Sequence, residues 1–154
     1  MSRNILTVVG VVALLVFPPL ARASDASFRN ALAPYQTELT NDVIFLAGLT
    51  SVPSKSAAPS DASKLRAAQA QLAACAKAAR GQKMSSSAGR KQQADLLQGL
   101  SIAYSSAGYG LDAIAAVEVG RTSVARSDIA GEQRELAAAL GPLKASAAAG
   151  GVAV

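Results

Sequence analysis

Cys75 is the only thiol in a 154-residue chain that contains no histidine and no tryptophan. A cysteine reacts as its thiolate, so its chemistry depends on exposure and on nearby charge. Lys77 and Arg80 are close enough in sequence to lower its pKa if the side chain is exposed. A Cys–His nucleophile is excluded, and so is an intramolecular disulfide. Two readings remain at this stage. Cys75 is either a small apolar side chain on the seam of a helix, or a thiol available for intermolecular pairing in an oxidising compartment.

Carboxylates are the next candidates. Glu38 and Asp42 lie four apart on one helical face, Asp112 and Glu118 fall on a later helix, and Glu132 and Glu135 on the last. Helical bundles hold paired metals with inward glutamates plus a Glu-x-x-His from each of two helices. Without histidine that set is incomplete, so solvated faces with local pairs such as Glu118–Arg121 are expected. Glycine-rich phosphate loops, a serine nucleophile elbow, zinc spacings and a calcium loop are all absent from the sequence. No catalytic residue, metal or cofactor is therefore expected.

Charge is distributed unevenly. No acid occurs between Asp61 and Asp95, whereas Lys64, Arg66, Lys77, Arg80, Lys83, Arg90 and Lys91 do. Lys77, Arg80, Lys83, Arg90 and Lys91 gather around one expected turn, which should make one end of the molecule positive and suited to an anionic partner. Lys77 and Arg80 also complement the dipole at a helix C-terminus. Arg90 and Lys91 sit near a helix start, where positive charge is unfavourable.

The elements that must carry these residues are helices. Alanine occurs 35 times and has the highest helix propensity, because it loses no side-chain entropy. A first segment spans about Ser27 to Leu49, with Phe28, Leu32, Tyr35, Leu39, Phe45, Leu46 and Leu49 near a three–four spacing and Pro34 interrupting it. A second opens at Ser60–Asp61 as cap and acid, repeats through Leu65, Ala68, Leu72, Cys75 and Ala79, and ends at Gly81 in a left-handed cap. A third runs through Leu97, Leu100, Tyr104, Ala107, Leu111 and Ile114, and its glycines 99, 108 and 110 suggest close packing or a bend. After a turn within Gly120–Arg126, Ser127–Asp128 caps a fourth segment through Ile129, Gln133, Leu136, Leu140 and Leu143, with Gly141–Pro142 as a break. Tyr35 and Tyr104 are expected in the core, Tyr109 nearer the surface. The fold class is all-α, an antiparallel bundle of about four helices.

Residues 1–23 read as a Sec-type leader. Arg3 provides a positive start, Ile5 to Phe17 is uncharged and mostly apolar, Pro18–Pro19 breaks it, and Ala21-Arg22-Ala23 is a small-residue cleavage signal. The expected division is a cleaved leader at 1–23, a helical bundle at 24–144 and a flexible tail at 145–154. Setting aside Arg3 and Arg22 leaves 13 basic residues against 10 acids, a net charge of +3. The expectation is a periplasmic or secreted module that performs no catalysis. It would bind an envelope protein or an anionic surface, with peripheral membrane contact through the basic turn as one mode. The alternative is a small carrier holding an apolar ligand between the helices. Nucleic acid is not expected, because no aromatic residues interleave the basic ones. Nothing in the sequence indicates an oligomer.

Overall fold

The computed structural model describes residues 23–149. Among them every regular element is helical. α1 spans Ala23–Leu32, a 3₁₀ turn spans Ala33–Tyr35, and α2 spans Gln36–Gly48. α3 (Ala58–Arg80), α4 (Ser87–Glu118) and α5 (Thr122–Ala149) follow. The expected leader up to residue 22 and the tail beyond Ala149 lie outside the described residues.

Pro34 separates α1 from α2 by the 3₁₀ turn rather than bending one continuous helix. Both helices still bury their apolar stripe, with Phe28, Leu32, Leu39, Val43 and Leu46 inside. α3 begins two residues before the expected cap. Ala57 is its N-cap, Pro59 occupies the first turn, and the hydroxyl of Ser54 accepts from Ala57 N at 3.2 Å. Proline suits this position because its missing N–H would have no helical partner there. Its expected seam is the observed one, since Leu65, Ala68, Leu72, Cys75 and Ala79 are all buried.

Gly81 is not left-handed. It continues in right-handed geometry (φ −67°, ψ −14°), and the end of α3 is closed by Gln93 Nε2, which donates to Ala79 O at 2.6 Å and Gln82 O at 2.8 Å. The left-handed glycine is Gly120, at φ +77°, in the turn between α4 and α5. That turn is tight enough for α5 to start at Thr122, five residues before Ser127.

α4 and α5 form the spine. Residue pairs across them run in opposite directions: Ser146 against Gln92, Leu143 against Gly99, Glu132 against Ser106 and Gly131 against Tyr109. α3 lies antiparallel to α4, with Leu65 opposite Gly110 and Gln69 opposite Tyr104. α4 is unbroken through Ser105–Gly110. Gln92, Leu96, Gly99, Ala103, Ser106, Gly110, Ala113 and Val117 are buried at alternating steps of four and three, and Leu100, Ala107 and Ile114 are buried beside them. Of the expected seam, Leu100, Ala107 and Ile114 are buried and Leu97 and Leu111 half-buried, so the buried face extends to one side of it rather than replacing it. Tyr104 falls outside the buried face and is 45% exposed, not core. On α5 the buried series is Ala125, Ile129, Glu132, Leu136, Ala139, Leu143 and Ser146.

Pro142 does not end α5. Proline inside a helix removes one hydrogen bond and costs about 3 kcal/mol. Two buried contacts just beyond it hold the helix on course. Leu143 packs on Gly99, and Ser146 Oγ donates to Gln92 O at 3.0 Å. Residues 145–149, expected as tail, therefore belong to α5.

Candidate functional site

The positive end forms where α3 turns into α4. Ser86 caps α4 by accepting from Gly89 N at 2.9 Å, which fixes the direction in which the helix leaves the turn. All of Lys77, Arg80, Lys83, Arg90 and Lys91 are exposed. They are not equivalent. Arg90 Nη1 donates to Ser85 O at 3.0 Å and Met84 O at 3.5 Å, so it laces the turn together. Lys91 pairs with Asp95 at 2.7 Å, one helical turn on. These contacts account for two cations at a helix start, where the dipole opposes them. Lys77, Arg80 and Lys83 carry no such partner, and Asp95, the acid that follows them in sequence, is engaged by Lys91. α1 closes this end from the side, where Ser27 Oγ donates to Gln82 Oε1 at 2.9 Å.

Beside Arg80 the facing sides of α3 and α4 leave a cleft of about 210 Å³, lined by Leu72, Ala73, Ala76, Arg80, Leu100, Ser101 and Tyr104. At the opposite end an open hollow of about 550 Å³ borders the α4–α5 turn, with Val119 and Val124 exposed and Asp112, Arg121 and Asp128 around them.

Cys75 is 1% exposed among Leu72, Leu96 and Leu100, and burial pushes its thiol up to about 12. Lys77 and Arg80 point to solvent and do not activate it. The buried apolar alternative is the one observed. DTNB at pH 8 should therefore label Cys75 only at the rate at which the bundle opens, and denaturant should abolish the delay. Immediate labelling of the folded protein would contradict this placement.

Glu132 is the residue that sequence reasoning placed wrongly. Expected on a solvated face, it is 0% exposed. Its Oε1 lies 3.2 Å from Ser106 Oγ, and its Oε2 accepts from Gln133 Nε2 at 2.7 Å. The same Gln133 amide donates to Leu49 O at 3.0 Å and Leu46 O at 3.2 Å, closing the C-terminal end of α2. Burial pushes the Glu132 carboxyl up to about 7, against the smaller lowering effect of its two hydrogen bonds. One signal for this was present in the sequence: steps of three and four from Ile129 to Leu136 pass through 132.

Burial and the neighbouring Glu38 raise Asp42 to about 6, and Gln71 of α3 lies against it. With the Gln71 amide nitrogen turned towards the carboxylate, it donates to Asp42 Oδ2 at 2.6 Å. Glu118 and Arg121 are exposed and do not pair. Among the described residues no three of Cys, Asp and Glu gather as a metal-ligand set, and no helix is long and apolar enough to cross a membrane.

Comparison of the chain with known family models, with curated proteins and with solved structures finds no match.

Proposed function

We propose that this protein is a non-catalytic binding module of the cell envelope or extracellular space, whose positive end takes an anionic partner. The observation that supports this reading most directly is the set Lys77, Arg80 and Lys83. These are three exposed cations with no hydrogen bond or ion pair among the described residues, and Asp95, the acid that follows them in sequence, is already paired with Lys91. Solvated charges held this way attract a surface of opposite sign over roughly the screening length, ~10 Å at 0.1 M salt and ~30 Å at 0.01 M. The leader-like residues 1–23 support the extracytoplasmic setting.

Sedimentation with phosphatidylglycerol-containing vesicles tests the reading. Association should weaken as salt rises, and alanine at Lys77, Arg80 and Lys83 should remove it. Alanine at Lys91 should change it little, because that charge is already paired with Asp95. Undiminished association of the triple variant at low salt and equal thermal stability would overturn the proposal.

The carrier alternative draws less support from the glycines of α4. A methyl group at Gly99 would meet Leu143 Cγ at 2.6 Å, and one at Gly110 would meet Leu65 Cδ1 at 3.0 Å. At these two positions the glycines bring helices together, so neither of them opens a pocket.

A further inference from the structure

We infer that the cleft between α3 and α4 is a binding site for a single-chain anionic amphiphile, with the alkyl chain along Leu72, Ala76 and Leu100 and the acid head on Arg80. This goes beyond the anionic-partner reading, with which it shares only Arg80.

The shape of the cleft comes from side-chain size. Leu72 and Leu100 form a floor that is 1% and 3% exposed, and Ala76 continues it at 7%. Ala73 of α3 and Ser101 of α4 stand at the rim, and neither reaches across to close it. Tyr104 completes the lining and is 45% exposed. At about 210 Å³ the space is smaller than the ~300–1,000 Å³ of ordinary small-molecule pockets. It has room for one short alkyl chain.

The charge at its mouth selects the head group. Arg80 is the single ionisable cation of the lining, and the lining contains no acid. A guanidinium offers a planar fork of donors that matches a carboxylate or sulfate with two parallel bonds. Arg80 has no ion pair to give up on binding, and Lys77 is three residues away on the same helix. A cationic head would meet like charge, and a neutral one would leave the fork unused.

Isothermal titration with hexanoate, octanoate and decanoate below their micellar concentrations tests the site. Affinity should rise about three- to fourfold per added methylene, the increment for burying one CH₂, and then level off once the chain outgrows the cleft. Decyltrimethylammonium should not bind. Arg80→Ala should weaken decanoate about tenfold, the size of one charge-assisted contact. Ala73→Leu with Ser101→Leu fills the rim from two exposed helical positions, so the fold survives while decanoate binding is lost. Vesicle association through Lys77, Arg80 and Lys83 should persist in this filled variant, which separates failure of the cleft from failure of the positive-end reading. The inference is overturned if decyltrimethylammonium binds as tightly as decanoate, or if the filled variant, helical by circular dichroism, binds decanoate unchanged.

Discussion

Glutamine in place of Glu132 should make the protein more stable above neutrality and remove most of the pH dependence between about pH 4.5 and 7. The physical reason is a hydrogen count. With the carboxyl protonated, Oε1–H donates to Ser106 Oγ, the serine hydroxyl donates to the Glu132 carbonyl oxygen 3.1 Å away, and Oε2 accepts from Gln133. The serine hydrogen then faces a single acceptor, and Gln133 shares its two amide hydrogens among Oε2, Leu46 O and Leu49 O. With the carboxyl ionised, a single serine hydrogen faces two acceptors, and a full charge sits in a site with no cation. The folded state therefore holds a proton that the unfolded chain releases near 4.5.

The sign follows from linkage. Where the native state binds more protons than the unfolded one, stability falls as pH rises. The contribution is fully present below about 4.5 and is lost as pH climbs through about 7. At pH 8 the ionised group costs on the order of 3 kcal/mol, which is an upper figure. Asp42, raised to about 6, bends the curve in the same direction and should remain in the variant. Urea unfolding of wild type and Glu132→Gln at pH 5 and pH 8 checks this. The variant should gain roughly 1–3 kcal/mol at pH 8 and little at pH 5. An equal change at both values would mean that packing, not ionisation, governs the site.

Opposite signs are expected from alanine at two glycines of α4 nine residues apart. At Gly99 the new methyl carbon would lie 2.6 Å from Leu143 Cγ, 2.7 Å from its Cδ2 and 3.2 Å from its backbone nitrogen. A side chain can rotate away, but the backbone of α5 must shift as well. Overpacking of this kind costs ~1–3 kcal/mol and outweighs the ~1 kcal/mol that alanine adds to helix propensity. At Gly108 the nearest atom is Gln69 Nε2 at 3.6 Å, an ordinary contact. There the propensity gain stands alone, so Gly108→Ala should stabilise by about 0.5–1 kcal/mol. Chemical denaturation of the two single variants reads both. In a Leu143→Ala background Gly99→Ala should cost less, with a coupling of about 1 kcal/mol or more between the two sites. Destabilisation by both glycine variants would mean that α4 tolerates no side chain on either face.

The α3 seam was legible because its large and small apolar residues share one heptad position set, from Leu65 to Ala79. The positive end was legible as well, since it needed only a run of basic residues beside a turn. Part of the packing of α4 and α5 stayed hidden. Leu100, Ala107, Ile114, Ile129, Leu136 and Leu143 of the expected seams are buried, but the closest contact beside them is built from glycine, alanine and serine, which carry weak hydropathy and left that edge of the buried face unread. Glu132 was misplaced because both 132 and 133 fit the spacing between Ile129 and Leu136, and the expected seam runs through Gln133.

By itself the sequence determined what local chemistry controls: helices from an alanine-rich chain and their approximate limits, the lack of a second cysteine to pair with Cys75, and the charge of one turn. Tertiary structure decided what depends on a second helix. It carried α5 past Pro142, because buried contacts at Leu143 and Ser146 offset one lost hydrogen bond. It also left the cleft beside Arg80, and turned Glu132 into the shared interior of α4, α5 and the end of α2. Propensity and capping act over a single turn of helix. Burial is set by whichever surface arrives from elsewhere in the chain, and spacing within one segment carries only part of that information.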